Sequence, residues 1–203
     1  MRPEEIEQAS MAIIAEEMGE WTGDEEALPI VKRVVHATAD FDFVKNLWFS
    51  TGAVARGREA LRRGVVVVTD TAMAAAGISR KATSRWHVPV VCHMAEPSVR
   101  EEAEMRGTTR AVVSMERAVV ETPDAIFAIG NAPTALIHLC ELIRHGLARP
   151  SLVIGVPVGF VNVVEAKELL SATDVPQIGA RGRKGGSTVA AAILNALFYG
   201  MEE

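Results

Sequence analysis

Ala125-Ile126-Phe127-Ala128-Ile129-Gly130-Asn131-Ala132-Pro133-Thr134-Ala135-Leu136 passes from a continuous apolar run, through a glycine, into a proline-started helix. A run without polar alternation suits a strand covered on both faces, as in a parallel sheet. Pro133 fits the first turn of a helix, where the N–H it lacks would have no partner anyway. Strand, glycine loop and helix in direct succession predict an α/β fold.

Working outward, four more β-branched runs stand out: Val65–Thr69, Pro89–His93, Leu152–Val156 and Gln177–Ala180. Helical spacing occupies the intervals: Glu4–Met18, a run begun by Pro29, Ala53–Arg63, Arg110–Val120, Pro133–Arg144, Val161–Leu170 and Ser187–Phe198. Gly146 suits the position just past a helix end, and Ser187 suits an N-cap. Alternation with short connections predicts a five-stranded parallel sheet between two helical layers, in one domain spanning 1–203. Gly77, Gly130 and the Gly155–Gly159 and Gly182–Gly186 stretches are expected in loops just after strands, and ligands of open parallel sheets bind outside the strands' carboxyl ends.

An apolar share of 49% allows a sizeable core, and 23% charged residues keep the surface solvated. The net charge of −5 argues against general affinity for nucleic acid or anionic membrane. Any anion site must therefore rest on a local cluster of cations. The two cysteines, Cys92 and Cys140, form no C-x-x-C pair, which argues against a disulfide framework or cysteine zinc site and fits a reducing cytosol. The acidic start, Met1-Arg2-Pro3-Glu4-Glu5, is no signal peptide, and no apolar stretch approaches the ~20 residues of a membrane helix. A cytoplasmic location is expected.

His36 ends the helical run begun by Pro29, with Asp40 and Asp42 close behind. The partial negative charge of a helix C-terminus and two carboxylates favour an imidazolium, which suits a general acid. On spacing alone the position suits a histidine that caps a carbonyl better than a catalyst. Arg181-Gly182-Arg183-Lys184-Gly185-Gly186-Ser187-Thr188 combines three cations, three glycines and a helix start, the ingredients of an anion site. It is not a Walker A loop, because Arg183 stands where a glycine is required. Asn131 can cap its helix or offer its amide to a ligand. Met73 and Met115 suit the core, His138 suits a satisfied histidine on an apolar helix, and His93 at a strand end can face the ligand crevice. No histidine or carboxylate spacing matches a metal site, and no G-x-S-x-G elbow is present.

Five segments together resemble the precorrin-8 methylmutase family of cobalamin biosynthesis. They are Val35–Asp42, Gly107–Arg110, Gly130–Leu136, Gly155–Val161 and Arg181–Ser187. The resemblance runs from about Ser10 to the last helix. It implies a flavodoxin-like α/β/α fold, a homodimer, no separate cofactor and a tetrapyrrole substrate. The implied reaction moves a methyl group from carbon eleven to carbon twelve of the corrinoid ring, giving hydrogenobyrinic acid or its cobalt form, cobyrinic acid. Carried over by position, the family's essential histidine is His36, an active-site arginine is Arg110, a first-helix serine is Ser10, and a hydroxyl position is Ser79. Arg110, Arg181, Arg183, Lys184, Gly185, Ser187 and Asn131 would then meet substrate carboxylates, with Asp40 or Asp42 holding His36 charged. The Ala37-Thr38-Ala39-Asp40-Phe41-Asp42 stretch is more similar to the cobalt-route enzymes. Two alternatives stand beside this reading. One is a protein that carries a corrinoid without isomerising it. The other is a flavin or nucleotide protein, which lacks a matching fingerprint and has one tyrosine for stacking.

Overall fold

The computed structural model describes residues 2–201. Its strands are β1 Leu47–Phe49, β2 Val67–Thr69, β3 Val90–Val91, β4 Ile126–Ile129, β5 Leu152–Gly155 and β6 Gln177–Ala180. The helices are α1 Pro3–Met18, α2 Leu28–Thr38, α3 Phe43–Asn46, α4 Ala53–Arg62, α5 Ala72–Gly77, α6 Arg80–Arg85, α7 Pro97–Arg106, α8 Arg110–Glu121, α9 Pro133–Arg144, α10 Val163–Ser171 and α11 Ser187–Tyr199.

Sheet order is β1-β6-β5-β4-β2-β3. Each of the five β-branched runs contains a strand, and these strands are mutually parallel in the flavodoxin-like order. The sheet nevertheless has six strands among the described residues, not five. Leu47–Phe49 adds an antiparallel edge to β6, with Trp48 opposite Gly179. Three residues carry no readable period, so this strand is made by its partner rather than by local preference.

Alternation along the central strands explains the three layers. Ile126, Ala128, Leu152 and Ile154 enter one core with α2, α4 and α11. Phe127, Ile129 and Val153 enter the other with α8, α9 and α10. Phe127 and Ile126 are fully buried, and such side chains each contribute about 1.5–3 kcal/mol. A strand buried on both faces must read as continuously apolar, which is why these runs were visible.

Several local expectations are corrected. α10 begins at Val163, and α7, which buries only Val99 and Ala103 of its own residues, gave no apolar period. Ser187 is the first helical residue, not the N-cap, which is Gly186. Asn131 is not a cap either, because Ala132 precedes Pro133 in that position. Met115 is core, but Met73 is 70% exposed. Among the described residues, no helix is long and apolar enough to cross a membrane.

Candidate active site at the carboxyl edge of the sheet

The chain leaves β2 for β3 on one side and returns to β4 on the other, so the crevice opens where β2 and β4 end. Asp70 sits there, fully buried. Its Oδ1 accepts the Gly130 N–H at 3.0 Å, and its Oδ2 accepts those of Asn131 and Ala132 at 2.8 and 2.7 Å. Burial pushes the Asp70 carboxyl above its ordinary range, against these three donors, which act to lower it. The Gly130–Ala132 turn is thus held from below, and the Asn131 side chain is left exposed at the rim.

The cationic loop lies directly across. A Cβ on Gly130 would come within 2.7 Å of Ser187 Cα, so only glycine lets the two loops meet. Gly185 lies against the carbonyl of Val156 with the same consequence. The Ser187 hydroxyl is 2.8 Å from that of Thr71, joining α11 to the end of β2. That bond explains why Ser187 does not cap its own helix. The Gly186 N–H donates to Val156, and the Gly159 N–H donates to Arg183. The N–H groups of Gly182, Arg183, Lys184 and Gly185 donate to no described residue. Four unpartnered donors in succession, beside exposed Arg181 and Arg183, make an anion-binding concavity. Arg183 stacks 5.5 Å from the centre of the Phe160 ring, which is 83% exposed. Val158, Val161 and Met73 also expose large areas.

Lys184 is engaged differently from its neighbours. Its Nζ donates to Asp40 at 2.7 Å and Asp42 at 2.6 Å. The ammonium holds the Asp40 carboxyl below its ordinary value. Asp40 and Asp42 are therefore bonded to the loop, not to His36. The bridge brings the end of α2 to the anion site. His36 occupies the last turn of α2, exposed and bonded to no described residue.

Three expected residues lie elsewhere. Arg110 opens α8 and is exposed beside Arg100 and Thr108, in a surface hollow of about 460 Å³. Ser79 caps α6, its hydroxyl accepting from Ala82, while its N–H donates to Asn195 on the flank of α11. Ser10 is half-buried on α1. His93, expected to face the crevice, is 6% exposed, with Nδ1 on Glu96 at 2.5 Å and Nε2 3.4 Å from Glu121. His138 is satisfied between Glu116 and Glu141. Among the described residues, no three His, Cys, Asp or Glu side chains converge as a metal site.

Two residues of this region escaped sequence reasoning. Asp70 is a lone carboxylate directly after an apolar run, and its partners lie some sixty residues on. Lys167 is buried beneath the cationic loop. Its helical phase with Val163, Ala166 and Leu170 was the available signal.

The architecture is that of a doubly wound α/β protein with a crevice at its topological switch point, bordered by a cationic glycine loop. Residues 5–200 match the family described as precorrin-8X methylmutase, and the chain belongs to that family. It is 44% identical to the cobalt-precorrin-8 methylmutase of Priestia megaterium, over 97% of this chain and 88% of that one. It is 42% identical to the precorrin-8X methylmutase of Pseudomonas aeruginosa, over 81% and 80%. The crystal structure of precorrin-8X methylmutase from Thermus thermophilus superposes with a TM-score of 0.90 at 42% identity, over 97% and 95%.

Proposed function

We propose that this protein isomerises a polycarboxylated precorrin-8 by moving a methyl group from carbon eleven to carbon twelve, with His36 as the proton donor to the macrocycle. As a member of its family it is a methylmutase of corrin-ring biosynthesis. The observation that carries the reading is the row of four unpartnered N–H groups from Gly182 to Gly185, flanked by Arg181 and Arg183. Acetate and propionate groups on the substrate supply the matching anions. A methyl shift within a conjugated ring needs no outside nucleophile. It needs a held orientation and a biased electron distribution, and a proton or hydrogen bond delivered to the ring supplies the bias. His36 has a free imidazole on the helix end that the Lys184 bridge ties to the loop. Arg110, Ser10 and Ser79 are assigned to substrate binding by their family positions.

The substrate is the cobalt form. The Ala37–Asp42 stretch supports this, as does the cobalt-precorrin-8 name of relatives such as the Priestia megaterium enzyme. Any cobalt belongs to the substrate. The protein works in the cytoplasm as a homodimer without a separate cofactor.

Incubation with precorrin-8 and with its cobalt form, followed in the visible spectrum, tests the substrate assignment. Conversion of the metal-free form alone refutes it. His36→Ala is expected to bind corrinoid but convert it at least about 100-fold more slowly, the usual scale of a lost general acid. Full turnover by the variant removes His36 from the chemistry. Binding without conversion by the unaltered protein would instead make it a corrinoid carrier.

A further inference from the structure

Lys167 stands out because buried ammonium groups are ordinarily paired with a carboxylate. It is 4% exposed and forms no ion pair with any described residue. Its Nζ donates instead to two backbone carbonyls of the cationic loop, Gly182 and Lys184, each at 2.8 Å. A third carbonyl of the loop, that of Arg183, accepts from Gly159. Three consecutive carbonyls are thus satisfied within the protein, while the N–H groups of the same residues have no described acceptor. A peptide unit points its N–H opposite to the preceding carbonyl. Anchoring carbonyls is therefore a way to turn N–H groups outward.

The charge balance points the same way. Lys184 is offset by Asp40 and Asp42, so its ammonium adds little to the field at the loop. Lys167 has no such offset, and at this depth its charge is weakly screened by water. Burial pushes the Lys167 ammonium down to about 8, so part of the cost of holding this charge is borne by the fold.

Resting on the corrinoid reading above, we propose that Lys167 is a positioning residue for substrate carboxylates. It fixes the Arg181–Ser187 loop with its N–H groups facing the crevice and adds an uncompensated positive charge beneath them. An anion on the loop completes the ion pair that the fold leaves open.

The test compares Lys167→Met, Lys167→Gln and Lys167→Arg in the full-length protein, with folding checked by circular dichroism and thermal melting. Cobyrinic acid serves as the binding probe, and conversion of cobalt-precorrin-8 gives KM and kcat. Lys167→Met and Lys167→Gln are expected to weaken probe binding about tenfold or more and to raise KM in parallel, with kcat within about threefold. Lys167→Arg, which keeps charge and donors, is expected to restore most of the affinity. Unchanged affinity in folded Lys167→Met overturns the proposal. So does failure of both uncharged variants to fold while Lys167→Arg folds, because that assigns the residue to stability alone. If the unaltered protein binds no cobyrinic acid, the corrinoid reading fails and this inference falls with it. Loss of turnover in His36→Ala with undiminished binding in Lys167→Met would leave the corrinoid reading standing and this inference refuted.

Discussion

Asp70→Asn should cost far more than its change in size suggests. The carboxylate accepts three backbone N–H bonds at 2.7–3.0 Å from Gly130, Asn131 and Ala132, in a fully buried position. An amide of the same shape has only one acceptor oxygen. Placed toward Asn131 and Ala132, it keeps two bonds but turns its NH2 against the Gly130 N–H. Placed the other way, it loses two. The better orientation leaves one buried donor unsatisfied, at about 1–3 kcal/mol, and makes two charge-assisted bonds neutral. Relief of burying a carboxylate offsets part of this, and burial does disfavour the Asp70 charge. A net loss of about 3 kcal/mol is expected, or a Tm lower by roughly 6–12 °C for a domain of this size. Thermal unfolding followed by circular dichroism at pH 7 measures it. A shift under about 2 °C would refute the view that Asp70 organises the switch point.

Gly130→Ala places a methyl against the Gly186–Ser187 backbone. It is expected to destabilise by about 1–3 kcal/mol, as overpacked sites do, and to weaken corrinoid binding by parting the two loops. A melt and a binding titration together decide this, and unaltered values in both would contradict the close approach. Acid should loosen the α7–α8–α9 flank, where His93 and then Arg117 hold the Glu96 carboxyl below its ordinary 4.5 and Arg106 does the same for Glu116. A depressed acid contributes stability that is whole above its unfolded value and fades as pH falls through the folded one. Amide exchange in α7 and α8 should therefore rise below about pH 4.5, ahead of the central strands, and uniform loosening would argue against it.

What the sequence disclosed follows from where the physical cause lies. The five parallel strands were legible because burial on both faces writes itself into consecutive residues such as Ile126–Ile129. The cationic loop was legible because three charges and three glycines are contiguous. The edge strand Leu47–Phe49 was not, since it exists through pairing with Ile178–Ala180. The site's internal bonds were hidden for the same reason. Asp40 and Asp42 stand near His36 in sequence, yet their partner is Lys184, more than 140 residues on. Nearness along the chain suggested a pair that folding replaced with a stronger one, since an ammonium between two carboxylates outcompetes an exposed imidazole.

That replacement bears on how the chemistry is aimed. An acid that only had to be charged could sit beside its own carboxylate. Here the two carboxylates behind His36 instead fasten the end of α2 to the loop expected to hold the substrate's acid groups. Lys184, expected to meet a substrate carboxylate, bonds to Asp40 and Asp42 and so serves as a strut. In the proposed reading, the free N–H row with Arg181 and Arg183 meets the substrate's acid groups. For a rearrangement within one large rigid ring, the demanding requirement is that the macrocycle be held in register with a single proton donor. A strut between the anion loop and the histidine-bearing helix meets that requirement directly, and it explains why a chain of net charge −5 spends one of its few local cations on an internal pair.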